Sequence, residues 1–172
     1  EIKIASDDPQ NTVGEILVRG TNVMLGYYKN EQATAETLVD GWYHTGDLGV
    51  MDEEGNVYIK GRSKNMLLGA NGQNIYPEEI EDLLNNMTLV NESIVIQKGD
   101  KLYGLVYPDF DEAHNLGLQD SDLEGVMEQN RIELNAALPS YSKLSGIKIH
   151  PEEFKKTPKK SIKRFLYTDV EI

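Results

Sequence analysis

The sequence predicts an α+β fold in two parts, a β-rich part over residues 1–61 and a mixed part over residues 62–172. Short alternating apolar runs dominate the first part, which is typical of strands. In the second part, two segments with helical periodicity flank a hairpin pattern, which is typical of helices that cover a small sheet. A glycine-rich segment, residues 61–81, lies where the two patterns meet.

The β-rich part is predicted to contain four strands joined by turn residues. One short helix interrupts them from Glu31 to Leu38, with Asn30 as its N-cap. Asp40-Gly41 then turns the chain back toward the sheet. The predicted strands are residues 1–4, 14–19, 48–51 and 56–59.

The segment 61–81 combines a turn, a strand, a loop and a helix start. The apolar run Met66–Leu68 predicts a short buried strand. Gly69 and Gly72 bracket a loop in which positive φ is accessible and the backbone can be approached closely. Pro77 suits the first position of a helix, because the N–H it lacks would have no partner there.

The second part is predicted to form a three-stranded sheet with flanking helices. A helix over residues 77–87 should bury one face, and a longer helix runs from about residue 120 to 138. The strands are residues 93–97 and 102–107, paired as a hairpin around Gly99-Asp100, and residues 146–149. The buried face of the first helix consists of Ile80, Leu83, Leu84 and Met87.

Composition limits the classes of function. The chain has 172 residues, 39% of them hydrophobic, and no apolar run long enough to span a bilayer. Its net charge of −12 argues against nucleic acid or anionic lipid as a general surface partner. The absence of cysteine excludes thiolate catalysis and suits a cytoplasmic protein, with a peripheral membrane location left open. Because it begins at Glu1, the chain is expected to be a piece of a longer one.

Tyr43-His44-Thr45-Gly46-Asp47 is the first motif that indicates chemistry. Alone, it is as easily a turn in which Asp47 bonds local backbone. Arg62 follows Asp47 by fifteen residues, after a predicted hairpin. A carboxylate and a guanidinium brought together can bind two vicinal hydroxyls of a sugar, because one accepts and the other donates several hydrogen bonds.

Three ordered motifs resemble the adenylate-forming enzymes, which include acyl-CoA synthetases, luciferases and the adenylation domains of peptide synthetases. They are Gly14-Glu15-Ile16 with Gly20 and Gly26-Tyr27, then residues 43–47, then residues 61–81. Within that family, the segments 71–81 and 138–143 most resemble bacterial long-chain fatty-acid–CoA ligases. The resemblance implies that residues 1–61 end the large N-terminal domain and that residues 62–172 form the mobile C-terminal domain.

The resemblance implies two half-reactions, adenylation of a carboxylic acid such as a fatty acid by ATP with Mg²⁺, then thioester formation with CoA. It implies that Asp47 and Arg62 bind the ribose and phosphate side of the nucleotide and that Ile59 lines its base or sugar. Lys64 falls at the implied hinge, although a solvated surface lysine is the plainer interpretation. Gly69 and Gly72 would face CoA in the second step, and a plain hairpin turn is equally compatible with them.

The basic run of residues 155–164 departs from the family pattern. The catalytic lysine of the family follows the threonine by four residues, and that position is Ser161 here. A hydroxyl cannot neutralise the charge that develops in adenylation. Lys160 or Lys163 therefore replaces it, or adenylation is impaired. The run has two other interpretations, a solvated tail and a patch that binds phosphate or nucleic acid.

Several alternatives stay open at this point. The chain could belong to another acyl- or aryl-CoA ligase, to a peptide-synthetase adenylation domain, or to a non-catalytic relative with a binding or regulatory role. The phosphate loop and the acyl tunnel of the family lie upstream of these motifs, so the isolated chain is expected to be inactive and to need the N-terminal domain as its partner. No metal site is predicted, because no histidine has paired-ligand spacing.

Overall fold

A computed structural model describes all 172 residues, which fall into two compact units, Glu1–Met66 and Leu67–Ile172. The first unit is mainly β structure, and the second contains a three-stranded sheet with flanking helices. The predicted α+β fold class is therefore confirmed. None of the helices is both long enough and apolar enough to cross a bilayer.

The first unit is built on an antiparallel sheet of five strands. Its strands follow the order β1-β2-β4-β3, and β5 also pairs with β4. The only helix begins after Asn30, whose side-chain oxygen accepts the backbone N–H of Ala33 at 3.0 Å, as expected of an N-cap. The elements are β1 (Ile2–Ala5), β2 (Gly14–Val18), α1 (Glu31–Thr37), β3 (Leu38–Val39), β4 (Trp42–Met51) and β5 (Val57–Arg62).

Strand β4 is much longer than the sequence predicts. It runs over ten residues from Trp42, whereas the pattern indicated only residues 48–51. The expectation was short because Thr45-Gly46-Asp47 has the composition of a turn. In the structure this tripeptide bulges out of a continuous strand, since only Ile16 of β2 separates the pairs Glu15 with Leu48 and Leu17 with His44.

The second unit begins with a small hairpin and continues into the main sheet. In that sheet β9 lies in the middle, antiparallel to β8 and parallel to β10. The predicted hairpin around Gly99-Asp100 is confirmed. The elements are β6 (Leu67–Leu68), β7 (Asn74–Ile75), α2 (Pro77–Leu84), β8 (Val90–Lys98), β9 (Lys101–Pro108), α3 (Phe110–Asn115), α4 (Leu123–Ala137) and β10 (Leu144–Ile149).

Apolar side chains cover both faces of this sheet, because successive residues of a strand point to opposite faces. Helices α2 and α4 contribute Ile80, Leu84, Met127 and Leu134 to the larger core on one face. The other face carries a smaller core of Ile94, Ile96, Leu105, Phe154 and Tyr167. The last two residues belong to the C-terminal tail, so the tail closes the second face.

The second unit differs from the sequence prediction at α2, β6 and α3. Helix α2 ends at Leu84 rather than at residue 87, and Leu83 is 47% exposed rather than part of the buried face. The predicted buried strand 66–68 is only the two-residue β6, with Leu68 63% exposed. Helix α3 was not predicted, because its six residues are too few to show a helical period.

Candidate functional site

Asp47 and Arg62 lie directly opposite each other on β4 and β5. Arg62 Nη1 donates to Asp47 Oδ1 at 2.8 Å, and the two side chains are 47% and 33% exposed, respectively. An ion pair with this exposure contributes little to stability. The pair therefore presents a carboxylate and a guanidinium, held together at an accessible edge of the first unit, to a ligand that both accepts and donates hydrogen bonds.

A β-bulge brings Ile59 to the same face as this pair. The register pairs Leu48 with Gly61 and Gly49 with Ile59, so Lys60 is an extra residue on β5. Asp47 and Gly49 are two residues apart on β4 and point to one face. Their partners Arg62 and Ile59 share that face, which the spacing of three residues in a regular strand would forbid. The exposed apolar side chain of Ile59, 69% accessible, thus lies beside the charged pair.

Glu15 of β2 holds the bulge that carries Asp47. One of its carboxylate oxygens accepts the backbone N–H of Gly46 at 2.9 Å, and the other lies 2.7 Å from Nδ1 of His44. Gly46 has φ +72°, a conformation that side chains with a Cβ rarely adopt. A Cβ at this position would make an ordinary van der Waals contact, 3.4 Å, with the Arg62 guanidinium. The glycine is therefore required for its backbone conformation rather than for space.

Thr45 completes the support of Asp47 from within the bulge. Its hydroxyl donates to the backbone carbonyl of Ile16 at 2.7 Å and accepts the backbone N–H of Asp47 at 3.0 Å. Every residue from His44 to Asp47 thus has a hydrogen bond that defines its place. A side chain whose backbone is fixed in this way needs little reorganisation when a ligand binds.

Lys64 lies in a single 3-10 turn, Ser63–Asn65, directly after β5. Its side chain is exposed, and the turn is closed by a hydrogen bond from the Met66 N–H to the Arg62 carbonyl at 3.2 Å. Lys64 precedes the last residue of the first unit by two positions. The chain therefore passes between the units in a short turn that begins immediately after the Asp47–Arg62 pair.

Gly69 and Gly72 form the loop of the β6–β7 hairpin. The Gly72 N–H donates to the Gly69 carbonyl at 2.8 Å, and the Gly69 N–H donates to the Gln73 carbonyl at 2.8 Å. Gly72 has φ +78° with open space where a Cβ would be, whereas a Cβ on Gly69 would lie 3.1 Å from Asn71 Oδ1. The two glycines are thus turn residues; Gly72 is exposed, whereas Gly69 is buried.

The basic run forms a second small hairpin, residues 155–163, rather than an unstructured tail. The Thr157 N–H donates to the Ser161 carbonyl at 2.8 Å, and the Lys163 N–H donates to the Lys155 carbonyl at 2.8 Å. Lys156 and Ile162 face each other across the hairpin. The tip is tight, because Lys160 takes a left-handed conformation with φ +63°.

The three candidate residues of this hairpin, Lys160, Ser161 and Lys163, do not all point in the same direction. Ile162 packs against the smaller core, so its neighbours Ser161 and Lys163 point to the opposite, outer face of the hairpin. Lys163 is half-buried, while Ser161 and Lys160 are exposed. Lys160 belongs to the tip, and its direction follows the turn rather than the strand. Ser161 and Lys163 are therefore the two residues that share one side.

A buried ion pair attaches this hairpin to the rest of the unit. The guanidinium of Arg164 binds both carboxylate oxygens of Glu81 on α2, with 2.7 Å between Nη1 and Oε1. Glu81 is only 6% exposed, and burial raises its carboxyl pKa, which the hydrogen bonds from Arg164 counteract. The backbone N–H of Val95 also donates to Glu81 Oε1 at 2.6 Å.

Sequence reasoning missed Glu15, His44, Glu81 and Arg164 as parts of the site. Each acts through a partner that is distant along the chain, 29 residues for Glu15 and His44 and 83 residues for Glu81 and Arg164. No local pattern reveals such a pair. The only signal was position, since Glu15 and Glu81 lie inside the motifs at 14–16 and 61–81.

Metal binding has no candidate among the residues of this chain. No group of three or more His, Cys, Asp or Glu side chains is arranged to hold a metal ion. The chain has two pairs of a histidine and a carboxylate, Glu15 with His44 and Asp120 with His114, and neither has a third ligand. No residue here is therefore assigned to Mg²⁺.

Comparison with known families relates the second unit to one of them. A family model described as the C-terminal domain of AMP-binding enzymes matches residues 64–169. The match begins at the 3-10 turn that carries Lys64 and ends beyond the basic hairpin. It therefore includes Lys64, the Gly69–Gln73 loop and the basic hairpin.

Curated relatives include ligases for two kinds of acid. The chain is 49% identical over 98 residues to a 2-succinylbenzoate–CoA ligase of Bacillus cytotoxicus, covering 57% of this chain and 20% of that protein. It is 44% identical over 95 residues to the long-chain-fatty-acid–CoA ligase FadD15 of Mycobacterium tuberculosis, covering 55% of this chain and 15% of that one. The chain thus spans about a fifth or less of the length of these relatives.

Among solved structures, the O-succinylbenzoate coenzyme A synthetase of Bacillus subtilis in complex with AMP is similar over nearly the whole chain. The alignment covers 99% of this chain and 34% of that one, with a TM-score of 0.75 and 26% identity. The similarity therefore extends through both units and not only through the part that the family model matches.

Proposed function

Because the chain belongs to the family of AMP-binding enzymes, we propose that it is the C-terminal portion of an AMP-forming acyl- or aryl-CoA ligase. The observation that carries the proposal is the accessible Asp47–Arg62 pair beside Ile59, in a chain whose residues 64–169 match that family's C-terminal domain. In this proposal residues 1–61 end the large domain and residues 62–172 form the mobile domain.

The first unit contributes the nucleotide side of the site in this proposal. The Asp47 carboxylate accepts hydrogen bonds from the two ribose hydroxyls, because it has lone pairs beyond the one that Arg62 occupies. Arg62 donates to the ribose and phosphate oxygens, and Ile59 packs against the sugar or base. The support from Glu15 and Thr45 means that Asp47 meets the ribose without rearrangement.

The second unit acts in two steps. In the first, a carboxylate oxygen of the acid attacks the α-phosphorus of ATP and pyrophosphate leaves; in the second, the sulfur of CoA attacks the acyl carbonyl and AMP leaves. A loop with an exposed glycine, such as Gly72 within residues 69–73, suits the second step because pantetheine can pass close to its backbone. We propose rotation at Lys64 between the two steps, since a short turn can absorb the change in φ and ψ.

The hairpin geometry favours Lys163 over Lys160 as the cation for adenylation. Ser161 occupies the position that the family resemblance gives to the lysine, and Lys163 shares the outer face with Ser161, two residues away. A lysine side chain is long enough to cover that distance along a strand, about 6–7 Å. Lys160 remains the second candidate, because its φ of +63° directs it from the tip.

The identity of the acid substrate is the most specific part of the proposal. A long-chain fatty acid was predicted, and relatives of similar identity are named for 2-succinylbenzoate and for long-chain fatty acids. An aromatic or a long-chain acid therefore fits equally well. Activity of the complete ligase toward a panel of both kinds of acid, with CoA and with carrier protein as acceptors, separates these from the peptide-synthetase alternative.

Two experiments test the proposal. The 172-residue chain alone is expected to show no acid-dependent exchange of pyrophosphate into ATP, and exchange by this chain would contradict its assignment as one portion of the site. In the complete ligase, Lys163→Met should abolish this exchange while leaving thioester formation from supplied acyl-adenylate intact, with Lys160→Met as its counterpart. A ligase that is inactive with every acid would support the non-catalytic alternative.

Two further expectations are tested separately. Binding of RNA or DNA to the basic hairpin is not expected, and tight binding that weakens steeply with salt would contradict this. A cytoplasmic location, with a peripheral membrane location as the alternative, is tested by fractionating cells that contain the complete protein.

A further inference from the structure

The ion pair between Arg164 and Glu81 lies at the base of the basic hairpin. Arg164 directly follows Lys163, and Glu81 lies 83 residues earlier on α2. Glu81 is 6% exposed, and a carboxylate oxygen of Glu78 on the same helix lies 3.9 Å from the guanidinium. A planar guanidinium that binds both oxygens of one carboxylate has a single orientation, unlike a lysine at the same place.

The other attachments of the tail act on the first strand of the hairpin. The Tyr167 hydroxyl accepts the N–H of Lys155 at 2.7 Å, and the Tyr167 ring packs edge-on against Phe154 at 5.0 Å. The second strand, which carries Ser161 and Lys163, is joined to the first by two backbone hydrogen bonds. Its side chains contact the rest of the unit through the packing of Ile162 and the ion pair of Arg164.

Glu81 joins three elements through one carboxylate. It belongs to α2, accepts the Val95 N–H of β8 and receives Arg164 from the tail. A buried pair of charges is an expensive way to gain stability, because desolvation offsets most of the attraction. Its geometric effect is specific, because a guanidinium fixed on Glu81 restricts where the backbone of the preceding residue, Lys163, lies and which way it points.

We propose that Arg164 and Glu81 are positioning residues, which hold the second strand of the hairpin so that the ammonium of Lys163 is presented in one place. The catalytic role of Lys163 rests on the proposed function, whereas the positioning of its side chain by Arg164 and Glu81 does not. The structural part concerns the chain itself and is testable without catalysis.

The decisive variant removes both charges together. Arg164→Met alone leaves a buried carboxylate without its partner and should destabilise the unit, whereas Glu81→Gln/Arg164→Met removes the desolvation problem and should recover most of the stability. The amide oxygen of the introduced glutamine can still accept the Val95 N–H. The double variant thus separates an effect on the stability of the unit from an effect on the position of Lys163. Lys101→Met, at an exposed lysine on β9, is the control for a lost positive charge.

Amide hydrogen exchange of the 172-residue chain is the direct measurement. In Glu81→Gln/Arg164→Met, the N–H groups of Thr157 and Lys163 should exchange at least about tenfold faster than in the wild type, while those of β8 and β9 keep their protection. Arg164→Lys, which keeps the charge and loses the fork, should give an intermediate acceleration. Protection of the hairpin that recovers with stability in the double variant would overturn the proposal, as would unchanged exchange in every variant.

A kinetic measurement on the complete ligase adds the functional consequence. The double variant should lower the rate of acid-dependent pyrophosphate exchange about tenfold and leave thioester formation from supplied acyl-adenylate unchanged, whereas Lys101→Met should change neither. Equal loss in both half-reactions would contradict a positioning role. If the wild-type ligase carries out neither half-reaction, the proposed function fails, and the exchange of the hairpin amides still decides whether the pair positions Lys163.

Discussion

Replacing Glu15 should weaken nucleotide binding although Glu15 lies behind the residues proposed to touch the nucleotide. Its carboxylate accepts the Gly46 N–H at 2.9 Å and pairs with His44 at 2.7 Å. Glu15→Ala removes both hydrogen bonds, so the bulge loses the contact that holds its positive-φ glycine. Glu15→Gln keeps an acceptor for Gly46 and supplies a donor to His44, so its effect should be much smaller.

The magnitude follows from the two hydrogen bonds. A bond to a charged partner contributes about 1.5–3 kcal/mol, so two such bonds would contribute at least about 3 kcal/mol. Because the carboxylate is 27% exposed, screening by solvent reduces this sum, and we take about 2 kcal/mol for the order of the bulge. If the bound state requires the ordered bulge, this loss appears as weaker AMP binding by a factor of about 30. The Thr45 hydroxyl still supports Asp47, which limits the effect.

Calorimetric titration of the complete ligase with AMP measures this difference. Glu15→Ala should cause almost no further loss of AMP affinity in a protein that already carries Asp47→Asn, because both substitutions act through the carboxylate of Asp47. Wild-type affinity in Glu15→Ala would refute the reasoning. So would an effect that simply adds to that of Asp47→Asn, since Glu15 would then act on the nucleotide by some other route.

Three predictions concern the stability of the 172-residue chain and are measured by urea unfolding. Leu84→Ala, at a side chain that is 0% exposed, should lower the free energy of unfolding by about 3 kcal/mol. Leu83→Ala, at a side chain that is 47% exposed, should change it by less than about 0.5 kcal/mol. Equal losses would contradict the assigned face of α2. Gly72→Ala should cost about 1 kcal/mol through its φ of +78° alone, because a Cβ meets nothing there, and Gly72→Asn should cost less. Hydrogen bonds to Glu153 and then Glu92 raise the pKa of Lys156, so on the alkaline side its contribution is complete below its ordinary pKa of 10.5 and is lost as pH rises through the higher folded value. In a titration upward from neutral pH, the difference in stability between wild type and Lys156→Met should therefore stay constant to about pH 10.5 and shrink above it.

Local sequence patterns predicted the elements that are determined by residues close to one another in the sequence. The β8–β9 hairpin follows from two apolar runs around Gly99-Asp100, and the start of α2 follows from Pro77 and the acidic residues after it. The same reasoning failed for Leu83, because the buried face of α2 consists of Pro77, Ile80, Glu81 and Leu84 and so includes a charged residue that an apolar pattern does not count. Glu81 can be buried because Arg164, 83 residues later, pairs with it, and no local pattern contains that partner.

The tail shows a different limit. The many cations of residues 155–164 give this run the composition of a solvated segment, so nothing local indicated a hairpin. Its order comes from Ile162, Tyr167 and the partner of Arg164 on α2, which are contacts with other parts of the unit. Asp47 and Arg62 were predicted together from composition and spacing, whereas the bulge that adds Ile59 to their face depends on the register of two strands.

The extra residue at position 60 changes what the interval between Asp47 and Arg62 means. The turn of residues 52–56 closes the hairpin and could gain or lose residues without disturbing the pairing above it. A deletion at Lys60 would remove the bulge and leave Ile59 two residues before the arginine, on the same face of a regular strand. A descendant of this chain can therefore keep this face with either spacing, provided that a bulge accompanies the longer one, and a search for similar sites should allow any hairpin length and both spacings.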